Sequence, residues 1–263
     1  MPKENKDIFS DLKPGYEGIS EFYDYFADNI DLPFYLDYAK QTGSPILDIA
    51  SGTGRVAISL AAEGFDVVGV ESSPSMLRTA RKKIASLPIQ VSERLSIIEG
   101  QMENFDVQQT FKLIIIPHSF GHALTTESQL STLRCIHKHL DDDGLFILDL
   151  YPAALEYDHA RFEDPPACLE DGKTIERHGE IHTDLIRQLL RVDLRYIVRD
   201  STQQILSTTE VISSAALIFN READLLVKFS GFDIVQELGD YDSNPYKPDS
   251  NRRILILKKS LNK

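Results

Sequence analysis

The chain has 263 residues, 42% of them hydrophobic and 26% charged, with a formal net charge of −13. This is a globular composition with ample material for a core, at a length that fits one large domain or one domain with an insertion. The acidic balance argues against a nucleic-acid partner, which needs a basic surface. No apolar run approaches the ~20 residues of a membrane span. The opening MPKENKDIFSD has no apolar stretch of the kind a secretory signal carries. Cys135 and Cys168 have neither metal spacing nor a CxxC arrangement, and read as reduced thiols of a cytoplasmic protein.

Residues 1–15 are polar, end in Pro14-Gly15, and are expected to be a mobile lead-in. From Tyr16 to Ile30, Ile19, Phe22, Tyr23 and Phe26 recur at helical spacing, and a second helix is expected from about Phe34 to Thr42. The stretch Ser44–Pro74 organises the rest. It reads as a short apolar strand carrying one acid (Asp48), then Gly52 and Gly54, a helix from about Arg55 to Glu63, a second apolar strand, and Glu71 at its end. Glycines at the turn let a ligand lie against bare backbone, and the first N–H groups of the next helix face the same place. Glu71 follows Gly52 by 19 positions. An acid at that distance, on the tip of the second strand, suits the hydroxyls of a ribose. Asp48 is costly in an apolar strand unless its oxygens are satisfied, so it is expected to accept the backbone N–H groups of the turn.

LDIASGTGR closely resembles motif I of the class I S-adenosylmethionine (SAM)-dependent methyltransferases, with Ala50-Ser51 where that family often has Gly-Cys or Cys-Gly. The resemblance implies a Rossmann-like, doubly wound, seven-stranded α/β sheet that ends in an antiparallel hairpin. It also implies SAM as cofactor and S-adenosylhomocysteine as product, with Ala50, Ser51, Gly52, Gly54 and Arg55 along the cofactor. A Tyr-Asp helix and an LPFY segment like those of small-molecule methyltransferases bring in Tyr23 and Phe34, which read equally well as core aromatics.

Ser72-Ser73-Pro74 starts the next helix, with a serine cap and proline at its first position. ESSPSML resembles the family's D-x-S-x-x-M-L and carries over Glu71, Ser72 and Met76; Met76 equally suits a core. The basic cluster Arg81, Lys82 and Lys83 reads as a solvated helix end. After a third strand, Leu95–Glu99, Gln101 stands where the family often has an acid for the adenine amino group, and the Met102 N–H suits an adenine ring nitrogen. Phe111–Ile116 is continuously apolar, as a central parallel strand should be. It runs into Pro117, His118, Ser119 and His122, beyond a strand end where ligands bind in such sheets. Pro117, His118 and Ser119 are expected near the cofactor, and His118 and His122 are the catalytic candidates. His137 and His139, on a helix from about Glu127 to Leu140, read as surface or packing.

Asp141–Gly144 reads as a turn before a fifth strand, Leu145–Leu150. Residues 155–215 do not continue the βαβ pattern. They read as an antiparallel β cap over the acceptor pocket, inserted into a core formed by residues 16–154 and 216–263. Arg177, His178, His182, Arg187 and Arg191 lie in it, most of them on an exposed face. His178 and His182 share a strand face by parity, but no third ligand is evident, and no metal site is expected. A helix from Arg221 to Phe229 and strands Phe232–Leu238 and Arg253–Lys258 close the chain, joined by a loop holding Tyr241, Asp242 and Tyr246. The reading is a methyltransferase acting on an O or N of a small-molecule acceptor, with no nucleic acid or membrane partner and with monomer and homodimer both open. Two alternatives stand beside it: a nicotinamide-dependent oxidoreductase, since Gly52, Gly54 and Ala57 also give G-x-G-x-x-A, and a SAM-binding protein without catalysis.

Overall fold

The computed structural model describes residues 7–151, 159–169 and 171–260. The expected domain boundary at residues 154–155 and the first six residues lie outside these. Two short helices, α1 (Ser20–Phe26) and α2 (Leu32–Thr42), precede β1 (Ile46–Ile49), α3 (Arg55–Ala62), β2 (Val67–Glu71), α4 (Pro74–Ala85), α5 (Ile89–Ser92) and β3 (Leu95–Glu99). Then come β4 (Phe111–Ile116), α6 (Thr126–His139) and β5 (Leu140–Leu150). After β6 (His159–Glu163), β7 (Ala167–Cys168), β8 (Thr174–Asp184), β9 (Leu189–Arg199) and β10 (Ile205–Ala216), the chain finishes with α7 (Asn220–Phe229), β11 (Phe232–Leu238) and β12 (Arg253–Lys259).

Seven strands form one sheet in the order β3-β2-β1-β4-β5-β12-β11. The first five run parallel, and β12 inserts antiparallel between β5 and β11. Strands β1 and β4 are apolar on both faces but for Asp48 and Lys112, because helices cover both. On one side Tyr35, Ala39, Val56, Leu60 and Leu77 pack over Ile46, Leu113 and Ile115. On the other, Leu133, Ile136, Ala223 and Leu226 pack over Leu47, Ile49, Ile114 and Ile116. Burial on this scale contributes roughly 25 cal/mol per Å² of apolar surface removed from water. Helix α4 begins as its sequence says: Ser73 is the N-cap, its Oγ accepts the Met76 N–H, and Pro74 opens the first turn.

Strands β10-β9-β8-β6 make a second, antiparallel sheet, with β7 paired to β8. Its face bearing Ile175, Leu194 and Tyr196 packs on Ile19 and Phe22 of the N-terminal segment and on Met76. Phe22 stacks on Tyr196 with ring centroids 5.2 Å apart.

Three sequence expectations change. Residues 7–15 are not a free lead-in: Lys13 exchanges hydrogen bonds with Ser214 on β10, and Asp7 pairs with Arg187. Helix α1 is only Ser20–Phe26, because Gly18 takes a positive φ of +91° before it and Ala27 is extended after it. Asp141–Gly144 belongs to β5, which starts at Leu140. Lys112 reaches both Asp141 (2.8 Å) and Asp143 (2.7 Å) and offsets their charge.

Candidate functional site

The turn between β1 and α3 is built from backbone that few side chains tolerate. Ala50, Gly52 and Gly54 have φ of +55°, +59° and +82°. Glu71, at the tip of β2, braces the turn: Oε2 accepts the Gly52 N–H at 2.8 Å, while Oε1 accepts Ser72 N–H (2.9 Å) and Ser73 N–H (2.7 Å). A carboxylate has about four acceptor positions, so one remains for a ligand hydroxyl. A Cβ added at Gly52 would meet nothing within 4 Å, whereas one at Gly54 would lie 3.2 Å from Ile97 and 3.3 Å from Ile58. The open side of the turn is therefore at Gly52.

Asp48 does not serve the turn as expected. Among the described residues both its oxygens are buried without a hydrogen-bond partner, and the Gly52 amide goes to Glu71 instead. Burial in apolar surroundings pushes its carboxyl up to about 7, against the pull of nearby Arg55. The Ser51 hydroxyl is also buried and unpartnered. An uncompensated acid beside an open glycine turn fits a ligand that carries positive charge, and SAM carries both a sulfonium and an amino group.

Arg55 leads from the turn to a second cluster. It makes a two-pronged pair with Asp31, both contacts at 2.6 Å, and this pairing outweighs burial and holds Asp31 down at about 2. Asp31 lies 3.6 Å from His118 Nε2, and Asp149 on β5 is also 3.6 Å from it. Asp149 is fully buried. Its Oδ2 accepts from Tyr241 (2.7 Å) and Tyr35 (3.0 Å), and its Oδ1 accepts from Arg252 Nε (2.7 Å). Hydrogen-bond accounting then assigns the imidazole. Tyr241 has one proton and spends it on Asp149, so its oxygen accepts from His118 Nε2–H. The basic lone pair of His118 is left on Nδ1, which faces the Tyr151 hydroxyl at 2.9 Å. His118 itself has φ +54°, a left-handed backbone at the end of β4 that costs free energy unless its surroundings enforce it.

The other predicted residues divide. Ser72, Pro117 and Ser119 border these two clusters; the Ser119 hydroxyl donates to the Pro117 carbonyl at 2.8 Å. Tyr23 is half-buried beside Tyr16, and burial raises its phenol. Gln101 is exposed and Met102 half-buried just after β3. Phe34 packs on Tyr35, Tyr38 and Tyr241, and Met76 packs on Tyr196 and Phe22, so both sit in the hydrophobic core. His122 is turned away from His118. Its Nδ1 lies 3.1 Å from both the Gly15 amide and the Ser214 carbonyl, its ring meets Tyr16 edge-on, and burial lowers its basicity. His139 is buried and accepts the Val107 N–H, a packing role. Tyr246 bonds Asn220.

Sequence reading missed Asp24, Asp31, Asp149, Arg252 and the use of Lys83. Lys83 reaches back to Asp24 (2.8 Å) and Thr53 (3.0 Å), and Thr53 donates to Asp24 at 2.6 Å, which ties α1 to the glycine turn. Asp149 carried the same signal as Asp48: a single acid inside an apolar strand, FILDL. Arg252 and Asp31 gave none, since both sit in polar loops.

Residues 46–144 match the family model described as a methyltransferase domain. A glycine/sarcosine N-methyltransferase of Parasynechococcus marenigrum (strain WH8102) is 33% identical over 122 residues, covering 44% of this chain and 41% of that protein. The first curated relatives are matched over about half of their length, 49% and 55%. Among solved structures, the CcbJ methyltransferase of Streptomyces caelestis superposes with TM-score 0.76 at 21% identity, covering 92% of this chain and 96% of that one. The sugar N-methyltransferase KedS8 of Streptoalloteichus sp. ATCC 53650 superposes with TM-score 0.71 at 19% identity, covering 98% and 99%. Both share the fold. The motif I turn and the matched segment together make residues 46–144 a methyltransferase domain, set in a fold that SAM-dependent methyltransferases share.

Proposed function

We propose that this chain transfers the methyl group of SAM to a nitrogen of a small, hydroxylated amine of the amino-sugar type. When bound, SAM supplies a methyl activated by its positive sulfur. The turn at Ala50–Gly54 holds the adenosine end against bare backbone, with the free acceptor position of Glu71 for a ribose hydroxyl and Asp48 as the buried counter-charge. Ser72, Gln101 and Met102 stand on the ribose and adenine side, and Pro117, His118 and Ser119 lead toward the acceptor.

The observation that carries the reading is the His118–Tyr241–Asp149 chain, joined to the glycine turn through Asp31 and Arg55. An amine must lose its proton before it attacks a methyl group. Asp31 and Asp149 favour an arriving ammonium, and Nδ1 of His118 is the atom placed to accept its proton. The carboxylates then stabilise the imidazolium that results. The rest of the rate comes from holding donor and acceptor in line, which can supply roughly 7–11 kcal/mol at best. The nitrogen preference is supported by the likeness to a glycine/sarcosine N-methyltransferase and a sugar N-methyltransferase. A nicotinamide oxidoreductase is disfavoured by the antiparallel β11–β12 hairpin, which stands where a second mononucleotide-binding half would continue the parallel sheet.

The test has two arms. Melting shifts with SAM, S-adenosylhomocysteine and NAD should show stabilisation by the first two alone. A panel of amino sugars, simple amines and their hydroxyl analogues, followed by S-adenosylhomocysteine release, should show turnover only with amines. A shift with NAD overturns the cofactor; turnover of hydroxyl analogues alone overturns the nitrogen. Binding of SAM with no turnover on any acceptor returns the chain to the binding-protein alternative.

A further inference from the structure

The second sheet carries a cluster that methyl transfer does not use. Sequence parity pairs His182 with His178 on β8, but the fold sets His182 directly opposite His159 on β6. Their rings stack with centroids 4.8 Å apart. Two residues along β8, on the same face, Glu180 stands opposite Asp193 on β9. Four ligand-type side chains thus occupy neighbouring positions on three adjacent strands, on the face opposite the one packed against α1. His178 turns instead to Glu163 and Glu176.

We propose that His159, Glu180 and His182, with Asp193 as a fourth ligand, form a binding site for a divalent transition-metal ion of the zinc type. The ligand atoms of the first three lie within 4.8 Å of one another. His182 Nε2 is 3.7 Å from both Glu180 Oε1 and Asp193 Oδ2, and His159 Nε2 is in hydrogen-bond contact with Glu180 Oε1. Four ligands at 2.0–2.1 Å from a tetrahedral ion are separated by roughly 3.3 Å, so small side-chain rotations close the shell. Imidazole with carboxylate is the donor set that favours zinc-type ions over calcium or magnesium. Arg191 holds the other oxygen of Asp193 at 2.8–2.9 Å and leaves Oδ2 aimed at His182. Arg161, 3.3 Å from Glu180, is the cation that a metal must displace.

The ion would be structural. Strand β6 is five residues long and lies at the edge of the sheet, and a metal there links it to β8 and β9 without touching the methyl-transfer cluster.

The experiment is titration of the tag-free full chain with zinc by calorimetry and thermal melting, with cobalt as a spectroscopic probe. The expected result is saturable one-to-one binding, a raised melting temperature, and the strong visible absorption of four-coordinate cobalt. His159→Gln and His182→Gln should each weaken binding by more than about tenfold, Asp193→Asn by less, and Arg161→Gln should tighten it. Metal-free melting of each variant checks that the fold is intact, and His178→Gln is the control that should bind as the parent does. Failure of the parent chain to bind, or equal binding by the double variant His159→Gln/His182→Gln, overturns the site and leaves an ordinary ion-pair cluster.

Discussion

Glu71 and Asp48 illustrate how two acids of one βαβ unit divide their work. Glu71 is buried and accepts from three amides, so it fixes the turn and keeps one acceptor position unused. Replacing it with alanine should weaken SAM binding about 10- to 100-fold by calorimetry, the worth of one charge-assisted hydrogen bond plus a loosened turn. Asp48 has no hydrogen-bond partner among the described residues, and burial pushes its carboxyl up to about 7, above its ordinary value of 3.8. A raised carboxyl stabilises the fold in its protonated form. That contribution is complete below pH ~4 and is lost as pH climbs through about 7. Asp48→Asn should therefore gain on the parent in cofactor-free thermal melts as pH rises from 5 to 8; a constant gap between the two would contradict the buried, unpaired acid. At His118, glutamine substitution should lower turnover by about 10²- to 10⁴-fold while leaving SAM affinity within a few-fold. A parallel loss of both would make the imidazole part of the cofactor site instead.

The β1–α3 turn is the element on which the site depends, and its two glycines should fail differently. At Gly54 alanine meets Ile97 and Ile58 as well as an unfavourable φ, so Gly54→Ala should cost stability first, about 1–2 kcal/mol or more in denaturant melts. Gly52 shares the unfavourable φ, at +59°, but its added methyl meets only open space, so Gly52→Ala should cost less stability than Gly54→Ala and lose SAM affinity. Equal effects at the two positions would mean that the open side of the turn is not the ligand side. This element was legible because glycine, acid and apolar run each leave a local signature. The 11-residue β5 was only half legible: Leu145–Leu150 reads as strand, but three consecutive aspartates hide its start. Lys112, on the neighbouring strand, is what makes them tolerable there.

Over the whole molecule, the two sheets are joined through a small apolar cluster that includes Phe22, Met76 and Tyr196. Tyr196→Ala should cost about 3 kcal/mol or more, and hydrogen exchange should show the second sheet losing protection before the seven-stranded one. Simultaneous loss would mean that the two sheets unfold as a unit. The order of elements, the parallel core and the glycine turn were determined by the sequence alone, because periodicity, caps and glycine positions act over a few residues. The cluster around His118 was decided by the tertiary structure. Asp31, His118, Asp149, Tyr241 and Arg252 are up to about two hundred positions apart, and their meaning lies in which partner each one reaches. The same is true of His159 and His182: strand register, not spacing, made them neighbours. A charge or hydrogen bond acts through space over a few ångströms, so its partners become visible only once the chain has folded.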